Sequence, residues 1–142
     1  MIEVCGTPAA KGSNRAILRG GRAVFVPGGS NAGRIKLRGW AAACVQAAQA
    51  ARCEPIGGAV AVWVTFRVER PKSHYNARGE VRPLAPQRPA VRPDLDKLLR
   101  ATFDAFNGLL WADDARIVQV TASKVFAIHG SPGATVRVES LP

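Results

Sequence analysis

One stretch, Ala59–Val68, constrains the fold of this chain more than any other. Val60, Val62, Val64, Phe66 and Val68 alternate along one face, and Ala61 and Trp63 make much of the other face apolar too. A two-residue period of β-branched and aromatic side chains is the pattern of a strand. Apolar character on both sides predicts a central strand with cover on each face. Around it, Ile2–Gly6 reads as a short strand closed by Thr7-Pro8. Pro8–Arg15 is a loop of small and basic residues. Ile17-Leu18 and Ala23–Val26 flank Arg19-Gly20-Gly21-Arg22, and two central glycines predict a tight hairpin because they accept positive φ. Pro27–Asn31 ends it.

Two helices are expected. Between Gly33 and Arg52, residues Leu37, Trp40, Ala41, Cys44, Val45 and Ala48 recur at three- and four-residue steps, and Glu54-Pro55 and Gly57-Gly58 stop the run. Between Asp94 and Phe106, Leu95, Leu98, Leu99, Thr102, Phe103 and Phe106 trace a second stripe, with Asn107-Gly108 as its cap. Ile117–Ala127 is a strand with Val118, Val120, Ala122 and Phe126 on one face. His129–Gly133 is a turn and Ala134–Glu139 a last strand. The order β, ββ, α, β, α, β, β predicts one α+β domain over residues 1–142, a single mixed sheet with two helices packed against it. Residues 70–93 interrupt it as a long basic loop rich in proline, which is expected to be functional or partly disordered.

Charge narrows the function. Lys and Arg number 20 against 10 Asp and Glu, for a net charge of +10. That balance favours an acidic partner, nucleic acid ahead of an anionic membrane. No apolar run is long enough to span a bilayer, and Met1-Ile2-Glu3 opens no signal peptide. Cys5, Cys44 and Cys53 form no CxxC pair, so reduced and mostly buried thiols in a cytosolic setting are expected, and a zinc site with His74 or His129 is not.

Half the acids, Asp94, Asp96, Asp104, Asp113 and Asp114, fall between positions 94 and 114. Asp94 and Asp96 sit two apart at a helix start, behind Pro93. Asp113-Asp114 sits at the start of a strand that would lie beside that helix. Two carboxylates at about 4 Å repel by roughly 4 kcal/mol at an effective dielectric of 20, whereas a helix cap returns about 1 kcal/mol. Convergence of Asp94, Asp96 and Asp114 would therefore call for a cation. All-carboxylate ligation selects a hard ion, Mg²⁺ with Mn²⁺ as substitute. Such a site on a basic protein points to phosphodiester hydrolysis, with Lys97 or Arg100 facing the developing charge. The plainer reading stands beside it: Asp94 as an N-cap, Asp96–Arg100 as an i,i+4 surface pair, Asp104 paired with Arg100, Asp113-Asp114 as turn residues.

Residues 1–53 hold eight basic residues and one acid, Glu3. This asymmetry favours a phosphate-binding surface. Its candidate contacts are Lys11, Asn14 and Arg15 in the first loop, and Lys72, His74 and Arg92 in the long one. Trp40 and Trp63 are expected in the core.

The block Asp94-Leu-Asp96-Lys97-Leu-Leu-Arg100, with Trp111-Ala-Asp113-Asp114-Ala-Arg-Ile-Val downstream, resembles the RusA family of Holliday junction resolvases, phage and prophage members above all. The early Pro-x-x-x-Gly-Ser-Asn-Arg loop, the Pro71–Tyr75 run and the element order are similar too. The resemblance implies a homodimeric, Mg²⁺-dependent endonuclease that cuts paired strands of a four-way DNA junction. It implies that Asp94, Asp96 and Asp114 are catalytic metal-binding acids. The family's lysine falls on Arg100, with Lys97 one turn away, and both remain candidates. Two symmetric nicks suit a two-fold dimer with one acidic site per subunit. The competing expectation is a basic nucleic-acid-binding module without chemistry.

Overall fold

The computed structural model describes residues 1–12, 15–26, 28, 30–128 and 130–142. Asn14, His129 and parts of the expected Pro8–Arg15, Pro27–Asn31 and His129–Gly133 segments lie outside the described residues, as does the side chain of Arg15.

Among the described residues, six strands and two long helices follow in the expected order: β1 (Ile2–Cys5), β2 (Arg15–Arg19), β3 (Arg22–Val26), α1 (Asn31–Ala51), β4 (Val60–Val68), α2 (Leu95–Phe106), β5 (Ile117–Phe126) and β6 (Gly133–Ser140). Four strands form a mixed sheet in the order β1-β6-β4-β5, with β4 and β5 parallel and the other pairs antiparallel. Among the described residues, strands β2 and β3 pair only with each other, so the hairpin forms its own two-stranded sheet instead of joining the other four. Gly20 (φ 59°) and Gly21 (φ 74°) supply its turn.

Strand β4 is central, as its alternation predicts. Val60, Val62, Val64 and Phe66 are buried in one cluster with Trp40 and Cys44 of α1, Leu98 and Phe106 of α2, Val4 of β1 and Val136 of β6. Both helices thus cover the same face. On the second face Ala61 is buried as expected, but among the described residues no helix covers the rest of it, and local contacts explain how that part tolerates water. Arg67 donates to Glu3 (2.8 Å) and Thr135 (2.6 Å), the Thr65 and Ser123 hydroxyls meet at 3.2 Å, and Arg137 lies over the Trp63 ring. Trp63 is therefore half-exposed on a polar sheet face, whereas Trp40 is core.

Trp40 also ties α1 to α2. Its indole Nε1 donates to Thr102 Oγ1 (3.0 Å), and Thr102 donates to the Leu98 carbonyl (2.9 Å). Burying these polar atoms costs little because each has a partner. At its start α1 is capped by Ser30, whose side chain accepts from Gly33 N. Only Cys44 of the three thiols is buried, and burial pushes its pKa up to about 12; Cys5 and Cys53 are exposed, contrary to expectation.

The 69–93 segment is folded, not loose. Its short turn of 3₁₀ helix, Lys72–His74, is followed by a Tyr75–Val81 bridge around a tight turn, where Asn76 accepts from Arg78 N and Glu80 N. The segment wraps the end of β5: His74 meets Phe126 edge-on, and Arg70 lies over the same ring at 4.0 Å.

Candidate active site

Helix α2 starts where it does because Asp94 is extended (φ −70°, ψ 140°) behind Pro93. Asp94 stands at the N-cap position, yet its carboxylate makes no capping bond. It accepts instead from Lys97 Nζ at 2.7 Å. That hydrogen bond and the Lys97 charge, with Arg92 and Lys124 further off, hold the Asp94 carboxyl below its ordinary 3.8.

Lys124 is the residue that sequence reasoning missed. It projects from β5 and donates to the carbonyls of Val91 (2.6 Å) and Pro93 (2.7 Å), clamping the turn that delivers Asp94. A signal existed: Lys124 falls in the even register of β5 with Val118, Val120, Ala122 and Phe126, where a charge breaks the apolar pattern.

Asp96 is exposed in the first turn of α2, where an acid suits the helix dipole. Among the described residues it makes no ion pair with Arg100, which is exposed. Asp104 pairs with Lys11 (2.5 Å), not with Arg100 as expected. The Lys11 backbone N–H also donates to Lys97 O (3.1 Å), so the first loop lies along α2. Asp113 is a capping residue, accepting from Ala115 N (2.8 Å). Asp114 is different. It is half-buried, and its Oδ1 accepts from Trp111 Nε1 (2.8 Å). Trp111 is itself buried against the edges of Phe103 and Phe106, so the core of α2 fixes how Asp114 points.

The three expected carboxylates do not gather in the single chain. Among the described residues, no group of three or more His, Cys, Asp or Glu side chains stands close enough to hold a metal ion. The elements explain why. Asp94 and Asp96 sit by the turn that Lys124 holds, near the end of β5. Asp114 precedes the first residue of β5, and Ile117 to Lys124 is roughly 23 Å of extended strand. The donor type suits Mg²⁺, but the arrangement is not a preformed three-carboxylate site, and Lys97 occupies one Asp94 oxygen.

Of the candidate phosphate contacts, Lys72 and Arg92 are exposed and Lys11 is committed to Asp104. His74 is turned inward: it packs on Phe126, and its buried Nδ1 has no hydrogen-bond partner among the described residues.

The family model for endodeoxyribonuclease RusA matches residues 6–139. The chain belongs to the RusA endodeoxyribonuclease family. A search of curated proteins gave no match. The matched span includes the first loop, the hairpin, the basic segment and both acid pairs. No helix among the described residues is long and apolar enough to cross a membrane.

Proposed function

We propose that this RusA-family chain is a structure-selective DNA endonuclease that resolves four-way junctions by paired symmetric nicks, working as a homodimer on DNA in the cytoplasm. The observation that carries this reading is the setting of Asp94: a carboxylate at a helix start that leaves its capping bond unmade and sits among Lys97, Arg92 and Lys124, inside a RusA match. Cations grouped around an ionised acid suit a phosphodiester whose charge rises as it is cut. Lys97 and Arg100 are our candidates for the group that meets that charge, and Asp94, Asp96 and Asp114 for the acids. Recognition would rest on the shape of the branch and the positions of its phosphates.

We also propose that cleavage needs Mg²⁺, with Mn²⁺ as substitute, on the hard oxygen donors of these acids; within one chain Asp94 and Asp96 share a helix start and Asp114 stands apart from them. One feature favours the second reading, a binding module without chemistry: Asp94 is satisfied by Lys97 as it stands.

Asp94→Asn separates the two. The side chain makes no capping bond that asparagine could lose, and the amide oxygen still accepts from Lys97. The variant is expected to fold and to bind a synthetic four-way junction, but not to nick it with Mg²⁺ present. Wild-type nicking by the variant removes Asp94 from the chemistry. A wild-type protein that binds the junction and never cuts it, with Mg²⁺ or Mn²⁺, establishes the second reading.

A further inference from the structure

The β2–β3 hairpin carries an apolar face that nothing among the described residues covers. Cross-strand partners share a face, so Ala16, Leu18, Ala23 and Phe25 lie together on one side. All four are exposed, Leu18 by 80% and Phe25 by 73%. The opposite side carries Ile17, Val24 and, at the tip, Arg19 directly across from Arg22. Like charges placed opposite one another destabilise a ribbon, and a two-stranded hairpin has little stability to lose. An arm of this composition is suited to a ligand that is negative at the tip and flat and apolar along the face.

Nucleic acid fits that description and a second copy of the chain does not. The chain has only 10 acids, and among the described residues Glu3, Asp94, Asp104 and Glu139 are already in ion pairs. The other six acids of a second copy come with 20 Lys and Arg, so that copy as a whole repels Arg19 and Arg22. A DNA strand offers a phosphate at every nucleotide and a π-face on every base.

We propose that the β2–β3 hairpin is a wedge: Leu18 and Phe25 enter the gap between unstacked bases at the branch point of the DNA, while Arg19 and Arg22 close on the flanking phosphates. The inference rests on the branched-DNA reading above and adds the element that opens the branch. Apolar side chains inserted between base steps are an established way to hold DNA open, and a branch point presents steps that are already partly unstacked.

The test uses the full chain and a four-way junction carrying 2-aminopurine beside the branch point, with a linear duplex of the same sequence as control. The wild type is expected to raise the fluorescence of the junction and leave that of the duplex unchanged. Leu18→Ser with Phe25→Ser is expected to abolish the rise and to weaken junction binding about tenfold, the size of one lost stacking contact, while duplex affinity holds. Arg19→Ala with Arg22→Ala is expected to weaken binding to both DNAs and to lower the salt slope by about 2. A Ser double variant that keeps its thermal midpoint, the fluorescence rise and the wild-type affinity overturns the wedge and leaves the nuclease reading intact. A change of oligomeric state in that variant, measured by light scattering, also overturns the wedge, because the arm then serves a protein contact. A wild type that does not distinguish junction from duplex overturns both.

Discussion

Replacing Lys124 by methionine tests whether the clamp on the Val91–Pro93 turn sets the site. Methionine keeps a stem of similar reach and removes the charge and both donations, at 2.6 and 2.7 Å. A charge-assisted hydrogen bond is worth about 1.5–3 kcal/mol when shielded. Lys124 is half-buried, and water can replace it at the carbonyls, so the pair together is worth about 1–2 kcal/mol. For a domain of this size that lowers the thermal midpoint by about 5 °C. The kinetic effect is expected to be larger. The turn that Lys124 holds leads directly into Asp94, and a displacement of about 1 Å at a reacting group costs about a hundredfold. On a synthetic junction, kcat should fall by about that factor while KM changes little. Lys124→Arg, which keeps charge and donors, should restore most of it. A Lys124→Met protein with wild-type kcat refutes the positioning argument, and one with a wild-type midpoint as well refutes the clamp itself.

Thr102→Val leaves the buried Trp40 N–H without an acceptor and should cost about 1–3 kcal/mol in urea unfolding; pairing it with Trp40→Phe should recover part of that, and simple additivity would mean the bond couples nothing. Asp94, with its pKa depressed by Lys97, favours the fold above its unfolded pKa and loses that contribution as pH falls through the lower folded value. Its ¹³C carboxyl titration midpoint is therefore expected below 3.8, and a midpoint above that would contradict the Lys97 contact. Lys72→Ala with Arg78→Ala should weaken binding to junction and duplex alike and flatten the salt dependence; an unchanged slope removes the 69–93 segment from the interface.

Local patterns carried the fold. The alternation of Val60 to Val68 located the central strand, and Gly20-Gly21 located a hairpin whose turn needs two positive φ values. What these patterns could not reveal is which side of the sheet the helices take. Ala61 and Trp63 read as a second buried face; Ala61 is buried, but Trp63 is only half-buried, and beyond it Arg67, Thr135 and Glu3 satisfy one another across strands far apart in sequence. The 69–93 segment is rich in Pro and basic residues, the composition of an exposed loop, and its order comes from wrapping Phe126, a residue more than thirty positions further along the chain.

The candidate site divides the same way. Asp94 and Asp96 are legible because a helix start fixes their spacing, and the family block makes them stand out. Where they stand relative to Asp114 depends on how α2 lies along β5, and no spacing in the chain encodes that. The structure answers through two contacts with no local signature. Lys124 ties the start of α2 to the later part of β5, and Trp111, lodged against Phe103 and Phe106, orients Asp114 ahead of the strand. Both contacts join a polar group of the site to a rigid element, which is how carboxylates come to be held at fixed positions. In a chain with twice as many cations as acids, an acid left to itself would be expected to pair with the nearest Lys or Arg, as Asp104 does with Lys11. Asp114, held by a neutral indole and in no ion pair among the described residues, departs from that rule: its place is set by the Trp111 N–H and not by a neighbouring Lys or Arg.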